Sequence, residues 1–230
     1  MCGRFSLHSP AEILATLFEL DWQSLDLEPR YNIAPCQDVL AVRDEDVGRA
    51  WCRLKWGLIP AWAKDDKGAA RLINARSETA REKPSFRKAI QSRRCLVPAN
   101  GFYEWKSQGK AKQPFFIHPE QGLWAFAGIW EEWCGPEGNR VESCSILTTA
   151  ASPKMSPLHD RMPVVIAPFH FDLWLAREPL DEPVYQGLCR PVPDAGFNYY
   201  PVSSQVNSVR NEGPHLIEPW SEQQGQLFDV

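Results

Sequence analysis

The stretch Trp124-Ala125-Phe126-Ala127-Gly128-Ile129-Trp130 is short and dominated by aromatic and branched side chains. Such a run reads as a β-strand, because bulky side chains pack well on a pleated, half-buried surface. The same composition recurs on either side of it, at residues 39–43, 51–58, 102–105, 115–118 and 143–149, with turn formers between. Twenty prolines, spread through the chain, cut it into short elements.

Helical signals are fewer. Ser9-Pro10-Ala11-Glu12 combines an N-cap, a proline at the first helical position and a capping-box acid. Behind it Ile13, Leu14, Leu17 and Phe18 form an apolar stripe at helical spacing. A second helix is expected through residues 85–92 and a third through 168–176. These are too few for a regular βαβ alternation, so the fold class is α+β: one domain with a mostly antiparallel, barrel-like β core and a few flanking helices. The domain is expected to span residues 1–220. The chain after Pro219 is polar and reads as a disordered tail over 221–230.

At 230 residues the chain is long enough to bury a real core, and 43% hydrophobic with 23% charged residues is a globular composition. No apolar run approaches the roughly 18 residues of a membrane span, and no secretory stretch follows the first residues, so a cytoplasmic location is expected. Seven cysteines, an odd number with no Cys-x-x-Cys pair, argue against both a disulfide framework and a zinc site. No metal or other cofactor is expected. A net charge of −4 excludes a generic polyanion binder. Between Lys64 and Arg94, however, ten basic residues face four acidic ones, an excess compatible either with a phosphate-binding face or with a solvated surface.

Cys2 stands apart from the other cysteines. Removal of Met1 would leave it with a free α-amine and a thiol on adjacent carbons. That pair condenses with aldehydes, the amine forming a Schiff base and the sulfur closing on the imine carbon to give a thiazolidine. Internal cysteines cannot react in this way, because their nitrogen is an amide. Taken alone, Cys2 is equally an incidental small residue at a chain end.

Its surroundings form an ordered set. Met1-Cys2-Gly3-Arg4-Phe5 is followed by Arg30-Tyr31-Asn32-Ile33-Ala34-Pro35 and Trp56-Gly57-Leu58-Ile59-Pro60-Ala61-Trp62. Then come Asn74-Ala75-Arg76-Ser77-Glu78-Thr79, Gly101-Phe102-Tyr103-Glu104-Trp105 and His159-Asp160-Arg161-Met162-Pro163. Pro201-Val202-Ser203, Val206-Asn207 and Asn211-Glu212-Gly213 complete it. In order and spacing this set resembles the SOS-response-associated peptidase family, the SRAP domain, from Cys2 to about Pro219.

The resemblance implies a DNA-repair enzyme of the SOS response that recognises abasic sites in single-stranded DNA. It implies a covalent thiazolidine crosslink through Cys2, with lyase-type and Met1-removing (protease-like, hydrolase) activities. By the same resemblance Asn74 orients the amine or the sugar hydroxyl, Glu104 is the acid/base, and His159 is a second proton-transfer group. Arg4, Arg76 and Arg161 resemble phosphate clamps, and Trp62 a residue that stacks beside the lesion. Cys36 departs from the pattern, standing where relatives carry a small residue or a hydroxyl.

Read without the family, these positions leave alternatives open. On a strand Glu104 shares a face with Phe102, yet it is equally a surface acid. His159 is equally a hydrogen-bonded structural histidine, Asn74 a turn former, and Trp62 ordinary core. Two other functions fit parts of the chain. Class II glutamine amidotransferases also begin Met-Cys-Gly, and a non-catalytic single-stranded DNA binding module would use the same basic and aromatic residues. In the tail, Gln224, Leu227 and Phe228 resemble the Gln-x-x-Leu-Phe peptide that docks on the bacterial sliding clamp.

Overall fold

The computed structural model describes residues 2–23, 25, 27–46, 48–109 and 111–220. In chain order these form β1 (Phe5–Leu7), α1 (Ala11–Phe18), β2 (Arg30–Ile33), β3 (Asp38–Glu45), β4 (Gly48–Trp56) and β5 (Asn74–Arg76). Next come α2 (Ser77–Ala80), α3 (Ala89–Ser92), β6 (Arg94–Ala99), β7 (Gly101–Gln108), β8 (Ala111–Pro119) and β9 (Trp124–Cys134). The series ends with β10 (Arg140–Ala150), β11 (Arg161–Pro163), α4 (Phe171–Leu175), α5 (Glu182–Leu188) and β12 (Phe197–Pro201). The expected α+β class and barrel-like β core are both present.

Two sheets carry the fold. The first is antiparallel, in the order β12-β8-β7-β1-β2. In the second, β10-β4-β3-β6-β9 closes on itself because β9 pairs back with β10. That closure makes a five-stranded barrel. Most of its ladders are antiparallel, but β10 runs parallel to β4 and to β5. Closure removes the open edge that would otherwise expose unpaired backbone.

The quoted stretch lies in β9, and its composition explains its position. Trp124 to Ile129 are buried throughout, as expected of a strand covered on both faces. Gly128 stands opposite Cys95, and a Cβ there would meet the Cys95 sulfur at 2.6 Å. The glycine lets the two strands pack closely.

Phe5 ties the two sheets together. It belongs to the first sheet, yet its ring packs edge-on against Trp56 of the barrel at 5.1 Å and against Phe126 at 6.1 Å. It is 1% exposed. Burial of such a ring contributes about 1.5–3 kcal/mol, and edge-to-face pairs add about 0.5–1.5 kcal/mol each. The segment carrying Cys2 and Arg4 is thereby anchored at the seam between sheets.

Several helical expectations need correction. Pro10, not Ser9, occupies the N-cap of α1 and makes no side-chain cap. Asn100 captures Ser9 instead, its Nδ2 donating to the Ser9 hydroxyl at 2.7 Å and its Oδ1 accepting from the Ser9 N–H. Ile13 is exposed, and the buried face of α1 is Leu14, Ala15 and Phe18. The helix expected over 85–92 is regular only in α3. Pro84 and two bonds to the Lys83 carbonyl hold the residues before it in successive turns. The helix expected over 168–176 is a 3-10 turn, Pro168–His170, followed by α4. Trp220 is still held, its N–H donating to the Pro201 carbonyl, while the tail at 221–230 lies outside the described residues. Among the described residues no helix is long and apolar enough to cross a membrane.

Phe5→Ala is expected to cost about 3–5 kcal/mol, since it removes a buried ring and leaves a cavity between the sheets. Urea denaturation would measure this, and a loss under about 1 kcal/mol would mean the seam is held by other contacts.

Candidate active site

The N-terminal segment runs beside β7, with the Tyr103 N–H donating to the Arg4 carbonyl at 2.9 Å. Phe5 stands opposite Phe102, so Glu104 of β7 comes alongside Cys2. From the barrel side, Asn74 at the start of β5 donates through Nδ2 to the Cys2 carbonyl at 2.7 Å. The other end of the Asn74 amide, Oδ1, is buried with no hydrogen-bond partner among the described residues.

Cys2 is fully buried and its thiol points to the Arg4 carbonyl at 3.8 Å. Burial pushes the thiol well above its ordinary value, and the nearby Glu104 carboxylate pushes it further. The sulfur is therefore a neutral thiol at physiological pH. Glu104 is itself only 4% exposed. It lines an open recess of about 550 Å³ together with Arg4, Trp105, Lys112, His159 and Asn207. Cys2 lies beneath this recess rather than on its wall.

Arg4 is built into the floor. Its Nη1 donates to Asn32 Oδ1 at 2.6 Å and to the Val206 carbonyl at 2.8 Å, and its guanidinium lies 5.8 Å from the Trp105 ring. Asn32, 1% exposed, donates onward to the carbonyls of Ser208 and Asn211, both at 2.9 Å. Trp105 is oriented by its indole N–H, which donates to Asn207 Oδ1 at 2.7 Å. These bonds fix the loop after residue 203 against β2, β7 and the segment before β1.

His159, which completes the recess, lies just before β11. Arg161 pairs with Ala150 of β10, and its guanidinium makes two hydrogen bonds of 2.7 Å to the Glu78 carboxylate and one of 2.6 Å to the Thr148 carbonyl. Its backbone N–H donates to His159 Nδ1 at 2.9 Å. Asp160 Oδ1 lies 2.8 Å from the same nitrogen and becomes its ion-pair partner when the ring is charged.

The profile of the SOS response associated peptidase (SRAP) family matches residues 1–209. The chain belongs to this family. The abasic site processing protein YoqW of Bacillus subtilis (strain 168) is 43% identical over 223 residues, covering 95% of this chain and 99% of the relative. The abasic site processing protein YedK of Escherichia coli (strain K12) is 34% identical over 225 residues, covering 95% and 100%. Among solved structures, a protein from Bacteroides thetaiotaomicron superposes with a TM-score of 0.84 at 25% identity, covering 96% of this chain and all of the other.

Of the residues singled out in the SRAP motifs, Arg4, Asn74 and Glu104 lie against Cys2, and His159 lines the recess with Arg4 and Glu104. Arg76 is exposed just beyond Asn74. Arg161 is 9% exposed and already engaged by Glu78. Trp62 is 63% exposed and borders a different hollow, with Pro84, Ser85 and Lys88. Cys36 is exposed in a left-handed turn, φ 67°. The basic excess between Lys64 and Arg94 is partly taken up by contacts within the chain. Arg81 pairs with Glu182 and Arg93 with Glu131, while Arg94 is buried against the carbonyls of Trp174, Ile90 and Gln91.

Sequence reasoning assigned no role to Asn32, Glu78, Trp105, Lys112 or Asn207. All but Lys112 lie inside the quoted motifs, so their presence there was the only signal. Lys112 lies outside every motif.

The two hydrogen bonds from Arg161 hold the Glu78 carboxyl below its usual range. A carboxylate depressed in the folded state adds stability above the ordinary value near 4.5 and loses it as the pH falls through the lower folded value. The Glu78 side chain is 50% exposed, so solvent screening limits the pair to below about 1 kcal/mol. Glu78→Gln is expected to lower the melting temperature by up to about 2–4 °C at pH 7, with the difference shrinking below pH 4. A pH series of thermal melts checks both the size and the sign.

Proposed function

We propose that this chain recognises abasic sites in single-stranded DNA and bonds to them covalently through Cys2, shielding the lesion. The observation that carries this reading is the convergence on Cys2 of Asn74 and Glu104, under a recess that His159 and Arg4 also line. The names of the relatives supply the substrate class.

In the proposed reaction Met1 is lost, by the chain's own action or another's, and the freed α-amine adds to the aldehyde carbon of the ring-opened sugar. The carbinolamine hydroxyl leaves as water, taking a proton from a neighbouring acid, and an iminium ion remains. The Cys2 sulfur then bonds the same carbon while its own proton passes to a base, closing the thiazolidine. In sum, one aldehyde and one aminothiol give one ring and one water. The iminium ion is also the species from which lyase-type strand scission by β-elimination would start, so capture by sulfur diverts the lesion from breakage.

The neutral thiol makes a base necessary, because little thiolate exists before the ring closes. Glu104, next to the sulfur, suits that role, and His159 suits delivery of the proton to the leaving hydroxyl. The Asn74 carbonyl oxygen suits an incoming amine N–H or sugar hydroxyl. Exposed Arg76 and the recess-lining Arg4 support contact with phosphates, and Arg161 would join them only by leaving Glu78. The exposed Trp62 supports base stacking, which contributes about 1–3 kcal/mol per base. Stacking of this kind favours single strands with little sequence preference.

Incubation with a single-stranded oligonucleotide carrying one abasic site, followed by a denaturing gel, tests the reading. The expected product is a shifted band that disappears in Cys2→Ala and when an extra residue blocks the amine. A band that survives Cys2→Ala would overturn it, and tight non-covalent binding without any band would favour a plain DNA-binding module. Glu104→Gln is expected to slow crosslinking about 100-fold or more, with little change in binding to intact single strands. For the tail we propose docking on the sliding clamp through Gln224, Leu227 and Phe228. Truncation after Ser221 is expected to abolish clamp capture and leave crosslinking unchanged.

A further inference from the structure

We infer that Asn32 is a positioning residue for DNA binding: its amide holds the Arg4 guanidinium by one nitrogen and leaves the charge and the other donors of Arg4 to a phosphate. The inference rests on the proposed contact between Arg4 and single-stranded DNA. Asn32 sits in β2, is 1% exposed and lines no part of the Cys2 recess. Its Nδ2 donates to the carbonyls of Ser208 and Asn211, both at 2.9 Å. A carbonyl can only accept, so these bonds turn the NH2 end of the amide toward the loop and leave Oδ1 facing Arg4. The 2.6 Å bond from Arg4 Nη1 follows from that orientation.

Arg4 Nη1 carries two hydrogens, and both are engaged, one by Asn32 Oδ1 and one by the Val206 carbonyl at 2.8 Å. Two anchors on one nitrogen fix the plane of the guanidinium. Nε is buried with no acceptor, and Nη2 has none among the described residues. The charge is equally unmatched. Arg4 is 9% exposed, its two acceptors are neutral, and no carboxylate among the described residues lies within ion-pair distance of it. Arg161 is buried to the same degree, but Glu78 already pairs with it.

A buried cation held only by neutral groups gains strongly from an anion brought against it. An aspartate at position 32 would supply that anion from within, and it would lack the donors that the Ser208 and Asn211 carbonyls require. The amide meets both demands. Without it the guanidinium keeps one anchor and pivots. The loop itself stays held by the bond from Trp105 to Asn207 and by Glu212, which accepts from the Tyr31 N–H.

Binding of the full chain to an intact single-stranded oligonucleotide, measured over a series of salt concentrations, tests this. Asn32→Ala is expected to weaken binding about tenfold, the scale of one charge-assisted hydrogen bond. Asn32→Asp, which sets a carboxylate against Arg4, is expected to lower the slope of log affinity against log salt by about 0.7, the share of one phosphate contact. Arg4→Gln is expected to lower the slope by the same amount. In the Arg4→Gln background neither Asn32 substitution is expected to weaken binding further, because Asn32 acts through Arg4. A merely structural asparagine would weaken both backgrounds equally, and that result would overturn the inference. An unchanged slope in Asn32→Asp would do the same, and this variant decides the matter if Asn32→Ala does not fold. A natural chain that forms the Cys2 adduct but shows no salt-dependent binding of intact strands would overturn the inference and leave the crosslinking chemistry standing. If no adduct forms, that chemistry fails, and the affinities still decide the role of Asn32.

Discussion

Strand β10 has a paired neighbour along both edges, and the rest of the molecule is arranged around that constraint. Ile146 faces Gly128 on one side and Asn74 on the other, and Thr148 likewise stands between Pro163 and Arg76. A strand buried on every side must satisfy all its backbone groups with other strands, and each partner is therefore held in one register. The short strands β5 and β11 have no stability of their own. Pairing with β10 puts Asn74 on one edge and Arg161 on the other.

The site is then assembled where barrel and sheet meet. Phe5 plugs the seam with a ring shared by both cores, and the residues before it have no choice but to lie beside β7 and under Asn74. Cys2, Arg4 and Glu104 are all less than a tenth exposed, so their solvation is lost and their mutual contacts are strengthened. Arg4 is compensated by Asn32 and the Val206 carbonyl. The sulfur has only a weak acceptor nearby and stays protonated.

How much was legible beforehand depended on the range of the forces involved. The β-rich stretches were readable because aromatic and branched side chains report burial locally, and each lies in a strand except that residues 57–58 run past the end of β4. The N-cap at Ser9 was misread because Asn100, distant in sequence, outcompetes the helix for that hydroxyl. Strands of three residues, such as those bearing Asn74 and Arg161, have too few positions to display a period. The motif residues around Cys2 could be named from their order along the chain. The grip of Glu78 on Arg161 could not, since it joins residues 83 positions apart.

By itself the sequence determined the fold class and the family, because composition and motif order are properties of the chain alone. Only the tertiary structure decided which basic residues remain available to a ligand and which are occupied, Arg76 lying open while Arg161 and Arg94 are bound inside and Arg81 is paired with Glu182. It also decided that the sulfur is buried and protonated. Both depend on what surrounds a side chain in space, and charge pairing and loss of water act over a few ångströms, a distance that spacing along a chain does not encode.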